Sequence, residues 1–134
     1  MSKYIVHKRF KGLAASNKIL NLPYGTELQL YGNFICYNGD PICYPSSDNA
    51  FKHFAINDDG NGLERGKITY AIAYATRNKG VGSRFNEDEI TLLNDKYSHF
   101  LKPNLDYIVF NQRFFEADIE ELRSMTKEFN IKIS

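Results

Sequence analysis

Residues 57–80 read NDDGNGLERGKITYAIAYATRNKG, a glycine-rich acidic loop followed by the longest helical pattern in the chain. The apolar spacing predicts a helix over residues 63–77. Its buried stripe is predicted to contain Ile68, Ala71, Ile72 and Ala75. A second face of the same helix carries Lys67, Tyr70, Tyr74 and Arg77. The patterns on the two sides of this stretch differ, and that difference determines the predicted fold.

Before the loop, short runs of β-forming residues alternate with turn signals. Strands are predicted at residues 4–10, 13–22, Glu27–Tyr31, Phe34–Tyr37 and 42–44. Gly32-Asn33 is typical of a tight hairpin turn. A short helix over residues 49–56, capped by Ser46 or Ser47, is expected to lead into the central loop.

After the loop, helical patterns dominate. One helix is expected to start at Asn86 or Ser83 and to end near Tyr97, and the last begins near Ala117. The inner face of the last helix is predicted to contain Ile119, Leu122, Met125 and Phe129. Short strands are expected at residues 107–110 and 131–133.

Strands that precede helices predict an α+β fold. The expected architecture is a small N-terminal antiparallel β-sheet, or an SH3-like barrel, packed against three to four helices. A length of 134 residues predicts a single domain over residues 1–134, mainly β over 1–45 and mainly helical over 46–134 with short C-terminal strands.

The charge and the apolar pattern of the chain argue against some classes of function and location. A net charge of +1 gives no overall attraction to nucleic acid or to an anionic membrane. The N-terminus lacks the apolar stretch of a signal peptide, and no window is long and apolar enough to span a membrane. We therefore predict a cytoplasmic protein without membrane contact and without a cofactor.

The two cysteines, Cys36 and Cys43, are too few for a disulfide scaffold. If Gly39-Asp40 form the loop of the hairpin, the two thiols face each other, whereas a different register pairs Ile35 with Ile42. The thiols are then either small buried apolar groups or a redox pair.

A nucleophilic cysteine would need a histidine from His7, His53 and His99, and no local motif supports any such pairing. An enzyme is therefore the less favoured class.

The central loop resembles the opening half of an EF-hand calcium loop at Asn57, Asp59 and Asn61. The position of the closing bidentate glutamate is occupied by Ile68, so the pattern indicates at most a weak metal-dependent site. In the alternative interpretation, the Asp and Asn side chains satisfy backbone groups of a tight turn between two helices, and the glycines supply positive φ.

The start of the same helix also suggests an anion site. Backbone amides at residues 60–63, with Arg65 and Lys67 close behind, are the groups that bind phosphate at a helix N-terminus. Asp58 and Asp59 would repel phosphate, and a loop that follows a helix is not a nucleotide-binding P-loop.

The residues of the N-terminal strand are typical of a surface that binds nucleic acid. Four cations lie within it and beside it, and Tyr4 and Phe10 are interleaved with them, which is typical of a surface that binds single strands. These cations are Lys3, Lys8, Arg9 and Lys11. The alternative is a solvated edge strand whose lysines prevent aggregation.

Several stretches together resemble a known family. They are LPYGT at residues 22–26, the hairpin over 34–44, NDDGNGLERG over 57–66, and the tail from Asn111 through 117–122. They are similar to small uncharacterised proteins encoded by temperate phages and prophages of Gram-positive bacteria. Members carry tryptophan ahead of the tail, where this chain has none. The resemblance implies a phage origin and a location in the host cytoplasm, and it implies no activity.

We therefore predict a phage accessory protein that acts as a non-enzymatic binding module on a host or phage protein. Its contact residues are expected to be Tyr70, Tyr74 and Arg77, because Tyr and Arg are the side chains that most often anchor interfaces. Nucleic-acid binding through the basic strand is the alternative. A weak metal-dependent site in the 57–62 loop is the second alternative, and the sequence predicts no oligomeric state.

Overall fold

A computed structural model describes residues 2–76, 85–103 and 108–133. Within these ranges the chain contains nine strands and five α-helices, which confirms the α+β prediction. The residues group into two compact units, Met1–Lys67 and Ile68–Ser134. Each unit has its own hydrophobic core. The single domain over residues 1–134 stays a prediction.

The first unit is built on an open antiparallel sheet. Its strands are β1 (Lys3–Val6), β4 (Glu27–Tyr31), β5 (Phe34–Tyr37), β6 (Asp40–Cys43) and β7 (Phe54–Ile56), in the order β6-β5-β4-β1-β7. A separate two-stranded sheet is formed by β2 (Phe10–Leu13) and β3 (Ile19–Leu22). Of the two predicted forms, the small sheet is observed among residues 2–76, and no barrel is closed there.

The hairpin of β4 and β5 has the predicted bounds, and Gly32 supplies positive φ at its turn. The next turn differs from the prediction. Asn38 and Gly39 both have positive φ, so they form the two-residue loop and Tyr37 pairs with Asp40.

This turn sets the register of the cysteines. Cys36 pairs with Pro41, and Cys43 lies opposite Ile35 next to a bulge, so the cross-strand cysteine pair is not formed. Both cysteines are free thiols.

The predicted strand over residues 4–10 is in fact two strands. The chain bends after Val6, where the backbone amides of His7 and Lys8 both donate to the carbonyl of His53. Phe10 then starts β2 and packs edge-on against Phe54 at 5.2 Å. The bend allows aromatic side chains from both strands to reach one core.

The predicted helix over residues 49–56 is also shorter than expected. Helix α1 covers Asp48–His53 and is capped by the side chain of Ser47, as one of the two predicted caps. Residues 54–56 instead form β7, which pairs with β1 at Val6, Ile5 and Tyr4. Pairing with a strand far away in sequence therefore outweighs the helical spacing of this segment.

Helix α2 (Gly62–Ala75) begins in the first unit and ends in the second. The second unit further contains α3 (Glu87–Lys96), a 3-10 turn (Ser98–Phe100), β8 (Leu101–Lys102), β9 (Val109–Phe110), α4 (Gln112–Phe115) and α5 (Ile119–Glu128). Asn86, one of the two predicted caps, caps α3, and the structure adds a reciprocal capping box with Glu89 that the sequence analysis did not predict. Helix α4 was not predicted. Residues 131–133 form no strand, and of the predicted strand at 107–110 the pair Val109–Phe110 is observed.

The core of the second unit confirms the periodicity predictions. Ile68, Ile72 and Ala75 of α2 are buried, while Ala71 is half-buried. All four predicted inner residues of the last helix are buried as well. Among the described helices, none combines the length and the apolar character that crossing a bilayer requires.

Candidate functional site

The acidic loop connects strand β7 to helix α2. The sequence analysis predicted a helix before this loop, and the structure has a strand there. The side-chain oxygens of the loop accept hydrogen bonds from the backbone. Asn57 Oδ1 accepts from the amide of Gly62 at 2.7 Å, and Asp58 Oδ1 accepts from the amide of Lys3 at 2.7 Å. Gly60 has a φ of +79°. The Asn57 bond and the positive φ of Gly60 agree with the turn interpretation, whereas the Asp58 bond joins the loop to strand β1, which the sequence analysis did not predict.

Arg65 holds the carboxylate of this loop. Its guanidinium is only 4% exposed and donates to both oxygens of Asp59, at 3.0 and 2.6 Å, and to the carbonyl of Ile56 at 2.8 Å. The hydrogen bonds from Arg65 are the main reason why the pKa of Asp59 lies well below its usual range. Asp59 is therefore a permanent counter-ion for a buried cation.

In this arrangement, most of the predicted ligand groups of a metal or an anion are already bonded within the protein. Of the predicted metal ligands, Asn57 and Asp59 are engaged as described, and the amide of Asn61 donates to Asp59 Oδ1 at 3.0 Å. Within the described ranges, no three His, Cys, Asp or Glu side chains form a metal-binding group. The amides of residues 60–62 all donate within the loop, so they are not directed at an external phosphate. Metal binding stays a prediction.

Two glycines of this stretch fit α2 closely against β1. A Cβ on Gly62 would lie 2.6 Å from Ile5 Cγ2, and a Cβ on Gly66 would lie 2.2 Å from Cδ2 of the His7 ring. Ile5 lies in β1 and His7 follows the end of that strand, while the two glycines are four residues apart on the helix and therefore lie on one helix face. The glycine spacing of the NDDGNGLERG motif thus has a packing role.

His7 is the buried polar side chain at this contact. Its Nε2 donates to the carbonyl of Phe51 at 3.0 Å. Burial lowers the pKa of His7 to about 4, so the ring is neutral at physiological pH. At neutral pH His7 is therefore an uncharged packing residue that donates to a backbone carbonyl.

The other thiol and imidazole candidates do not form a catalytic pair. His53 Nδ1 contacts the carbonyl of Lys8, and His99 Nε2 contacts Glu121. The thiol of Cys36 donates to the carbonyl of Phe34, while burial raises the pKa of the Cys43 thiol. None of these bonds joins a thiol to an imidazole.

A polar cavity of about 530 Å³ is lined by residues of β1, β4 and β5. Lys3, Gln29 and Cys36 form a transverse row there, since each pairs with the next across the strands. Glu27 and Tyr31 also line the cavity, and the Tyr31 hydroxyl donates to the side-chain Oε1 of Gln29. The sequence analysis did not select this row, although the polar–apolar alternation of Glu27–Tyr31 marks it.

The predicted basic surface is only partly assembled. Lys3, Lys8, Arg9 and Lys11 are all exposed, but Lys3 belongs to β1, whereas the other three lie at the bend and in β2. Tyr4 and Phe10 are each 6% exposed and pack in the core. The expectation of stacking aromatics on this strand is therefore wrong, because the bend after Val6 lets both rings reach one core.

The predicted partner-binding tyrosines do come together. The rings of Tyr70 and Tyr74 on α2 stack with centroids 6.2 Å apart and planes inclined by 18°. Tyr70 is half-buried and Tyr74 is 60% exposed. Arg77 lies outside the described residues.

Comparisons with protein-family models, with curated proteins and with solved structures give no match to the chain. Its function therefore has to be argued from the geometry of these surfaces.

Proposed function

We propose that the chain is a non-enzymatic binding module that acts on a protein, and that Tyr70 and Tyr74 belong to its contact surface. The exposed position of the stacked Tyr74 ring is the observation that carries this proposal. The ring is mounted on a helix whose neighbouring residues Ile72 and Ala75 are buried in a core. A rigid and largely exposed aromatic side chain is typical of an interface anchor.

The energy available at this position is sufficient for an anchor. Covering the exposed part of Tyr74 removes on the order of 100 Å² of mostly apolar area from water. At roughly 25 cal/mol per Å², this contributes about 2–3 kcal/mol to binding. That magnitude is typical of an interface hot spot. Tyr70 is half-buried, so its main contribution is to orient the ring of Tyr74.

The partner in this proposal is a host or phage protein. The phage origin and the host cytoplasm rest on the resemblance alone. Binding is preferred to catalysis because the bonds of the three histidines and of Cys36 join no thiol to an imidazole, and Asp59 is held by Arg65. Arg77 stays a predicted member of this surface from the sequence pattern, and it lies outside the described residues.

The test is affinity capture of the tagged chain from lysates of Gram-positive host cells, with each lysate split into nuclease-treated and untreated halves. The proposal predicts one specific protein retained in both halves. Material retained only in the untreated half would mean that the chain binds nucleic acid, and the proposal would be wrong.

A further inference from the structure

The two-stranded sheet of β2 and β3 has an apolar outer face at one end. Its strands alternate strictly, so Phe10, Leu20 and Leu22 point into the core. The outward positions include Leu13 and Ile19, which are 59% and 72% exposed and pair with each other across the strands. Ile19 is the most exposed large apolar side chain among the described residues. Two adjoining aliphatic side chains are thus presented to water at the tip of a hairpin.

The same hairpin is cationic, which the net charge of +1 conceals. Residues 9–22 contain three cations, Arg9, Lys11 and Lys18, and none of the 16 Asp and Glu residues. Lys11 lies on the outward face next to Leu13, and Lys18 is exposed at the tip beside Ile19. Arg9 reaches this face as well, where its Nη1 donates to Asn21 Oδ1 at 3.1 Å. Cations therefore lie on both sides of the apolar pair.

The tip is fixed in place before any ligand arrives. Ala14 is buried, and its amide donates to the carbonyl of Lys18 at 2.9 Å. The amide of Ala15 donates to the carbonyl of Pro41 in strand β6 at 2.8 Å. Asp40, the acidic residue next to Pro41, is half-buried at the start of β6. The hairpin tip therefore presents Leu13 and Ile19 without a further loss of backbone freedom.

We propose that the tip of the β2–β3 hairpin docks on the surface of an anionic lipid bilayer. Leu13 and Ile19 insert among the acyl chains at the headgroup boundary, and Lys11, Lys18 and Arg9 contact the lipid phosphates. Nucleic acid fits this face less well, because aliphatic side chains gain nothing from phosphates and the hairpin exposes no aromatic ring for stacking. The proposal concerns surface binding, and in this respect it departs from the sequence-based prediction of no membrane contact.

The experiment is sedimentation of the purified full-length chain with vesicles of phosphatidylglycerol and, separately, of phosphatidylcholine. The chain is expected to pellet with phosphatidylglycerol, to stay in the supernatant with phosphatidylcholine, and to be released by added salt. Leu13→Ser combined with Ile19→Ser should weaken binding by about tenfold or more. Ile133→Ser changes an exposed isoleucine outside the hairpin and should leave binding unchanged.

A second variant separates the roles of charge and apolar contact. Lys11→Glu combined with Lys18→Glu should abolish binding, and urea unfolding midpoints close to the wild-type value would show that both double variants fold. Equal sedimentation with the two lipids, no sedimentation with phosphatidylglycerol, or undiminished binding by the serine variant would overturn the proposal. A single-stranded oligonucleotide that binds the wild type and the serine variant equally, but not the glutamate variant, would identify a nucleic-acid site instead.

Discussion

Replacing Gly66 with alanine is expected to destabilise the protein, although the same change usually stabilises a helix interior by about 1 kcal/mol. The reason is the His7 ring. A Cβ at Gly66 would lie 2.2 Å from Cδ2, 2.3 Å from Cγ and 2.7 Å from Cβ of His7. The ring cannot move aside easily, since it is buried and bonded to the carbonyl of Phe51.

The magnitude follows from two opposing effects. Overpacking of a buried contact typically costs about 1–3 kcal/mol, and three contacts shorter than any normal Cβ contact place Gly66 at the upper end. Subtracting the helix-propensity gain leaves a net loss of about 1–2 kcal/mol in the free energy of unfolding. Urea denaturation followed by far-UV circular dichroism measures this difference directly.

A double-mutant cycle identifies the cause. His7→Ala removes the two ring atoms that make the closest contacts, so Gly66→Ala should cost less in that background by at least about 1 kcal/mol. If Gly66→Ala stabilises the wild type, or has the same effect in both backgrounds, the helix does not lie on His7 as described.

Three further predictions concern charge. The pKa of His7 is about 4 in the folded chain and near 6.5 in the unfolded chain, so the unfolded state binds protons more tightly. The free energy of unfolding should therefore be at its full value above pH 6.5 and fall by about 3 kcal/mol as the pH drops towards 4. A His7→Gln variant that loses the same stability over this pH range would contradict the prediction. Millimolar calcium or manganese should leave the melting temperature unchanged, because Asp59 is held by Arg65, whereas a clear rise would restore the metal-site hypothesis. If the nucleic-acid alternative holds, charge reversal of the three cations in residues 8–11 should abolish oligonucleotide retention, and unchanged retention would remove it.

The parts of the fold that follow from local chemistry were predicted from the sequence. The β4–β5 hairpin follows from Gly32-Asn33 between two β-forming runs, and the start of α3 follows from Asn86, one of the two caps that the sequence suggested. The inner face of α5 follows from helical spacing. In each case the decisive contacts are within a few residues in sequence.

The wrong predictions concern segments whose structure depends on contacts between residues far apart in sequence. Phe54 and Ala55 have helical spacing with Phe51, but pairing with β1 turns them into a strand. The break of the first strand at His7 requires the carbonyl of His53, which sequence spacing does not reveal. Positive φ at Asn38 as well as at Gly39 shifts the following hairpin by one residue, and the cysteines lose their alignment.

Among the candidate sites, too, the sequence predicted what depends on neighbouring residues and missed what depends on distant contacts. Tyr70 and Tyr74 share a helix, so their spacing predicted that they meet. The burial of Tyr4 and the exposure of Leu13 and Ile19 depend on which strand faces reach the core, which the sequence did not decide. Nothing in the local pattern at Leu13 or Ile19 distinguishes these residues from core positions.

The central claim is that the exposed ring of Tyr74 anchors a protein partner, and the affinity of the captured partner for three purified chains tests it most directly. These chains are the wild type, Tyr74→Ala, and Tyr24→Ala as a control at another tyrosine that is 52% exposed. From the area estimate, Tyr74→Ala should weaken binding by about 30-fold or more while its unfolding midpoint stays at the wild-type value. Tyr24→Ala should bind the partner with the wild-type affinity. Equal affinity of all three chains for the partner would contradict the claim.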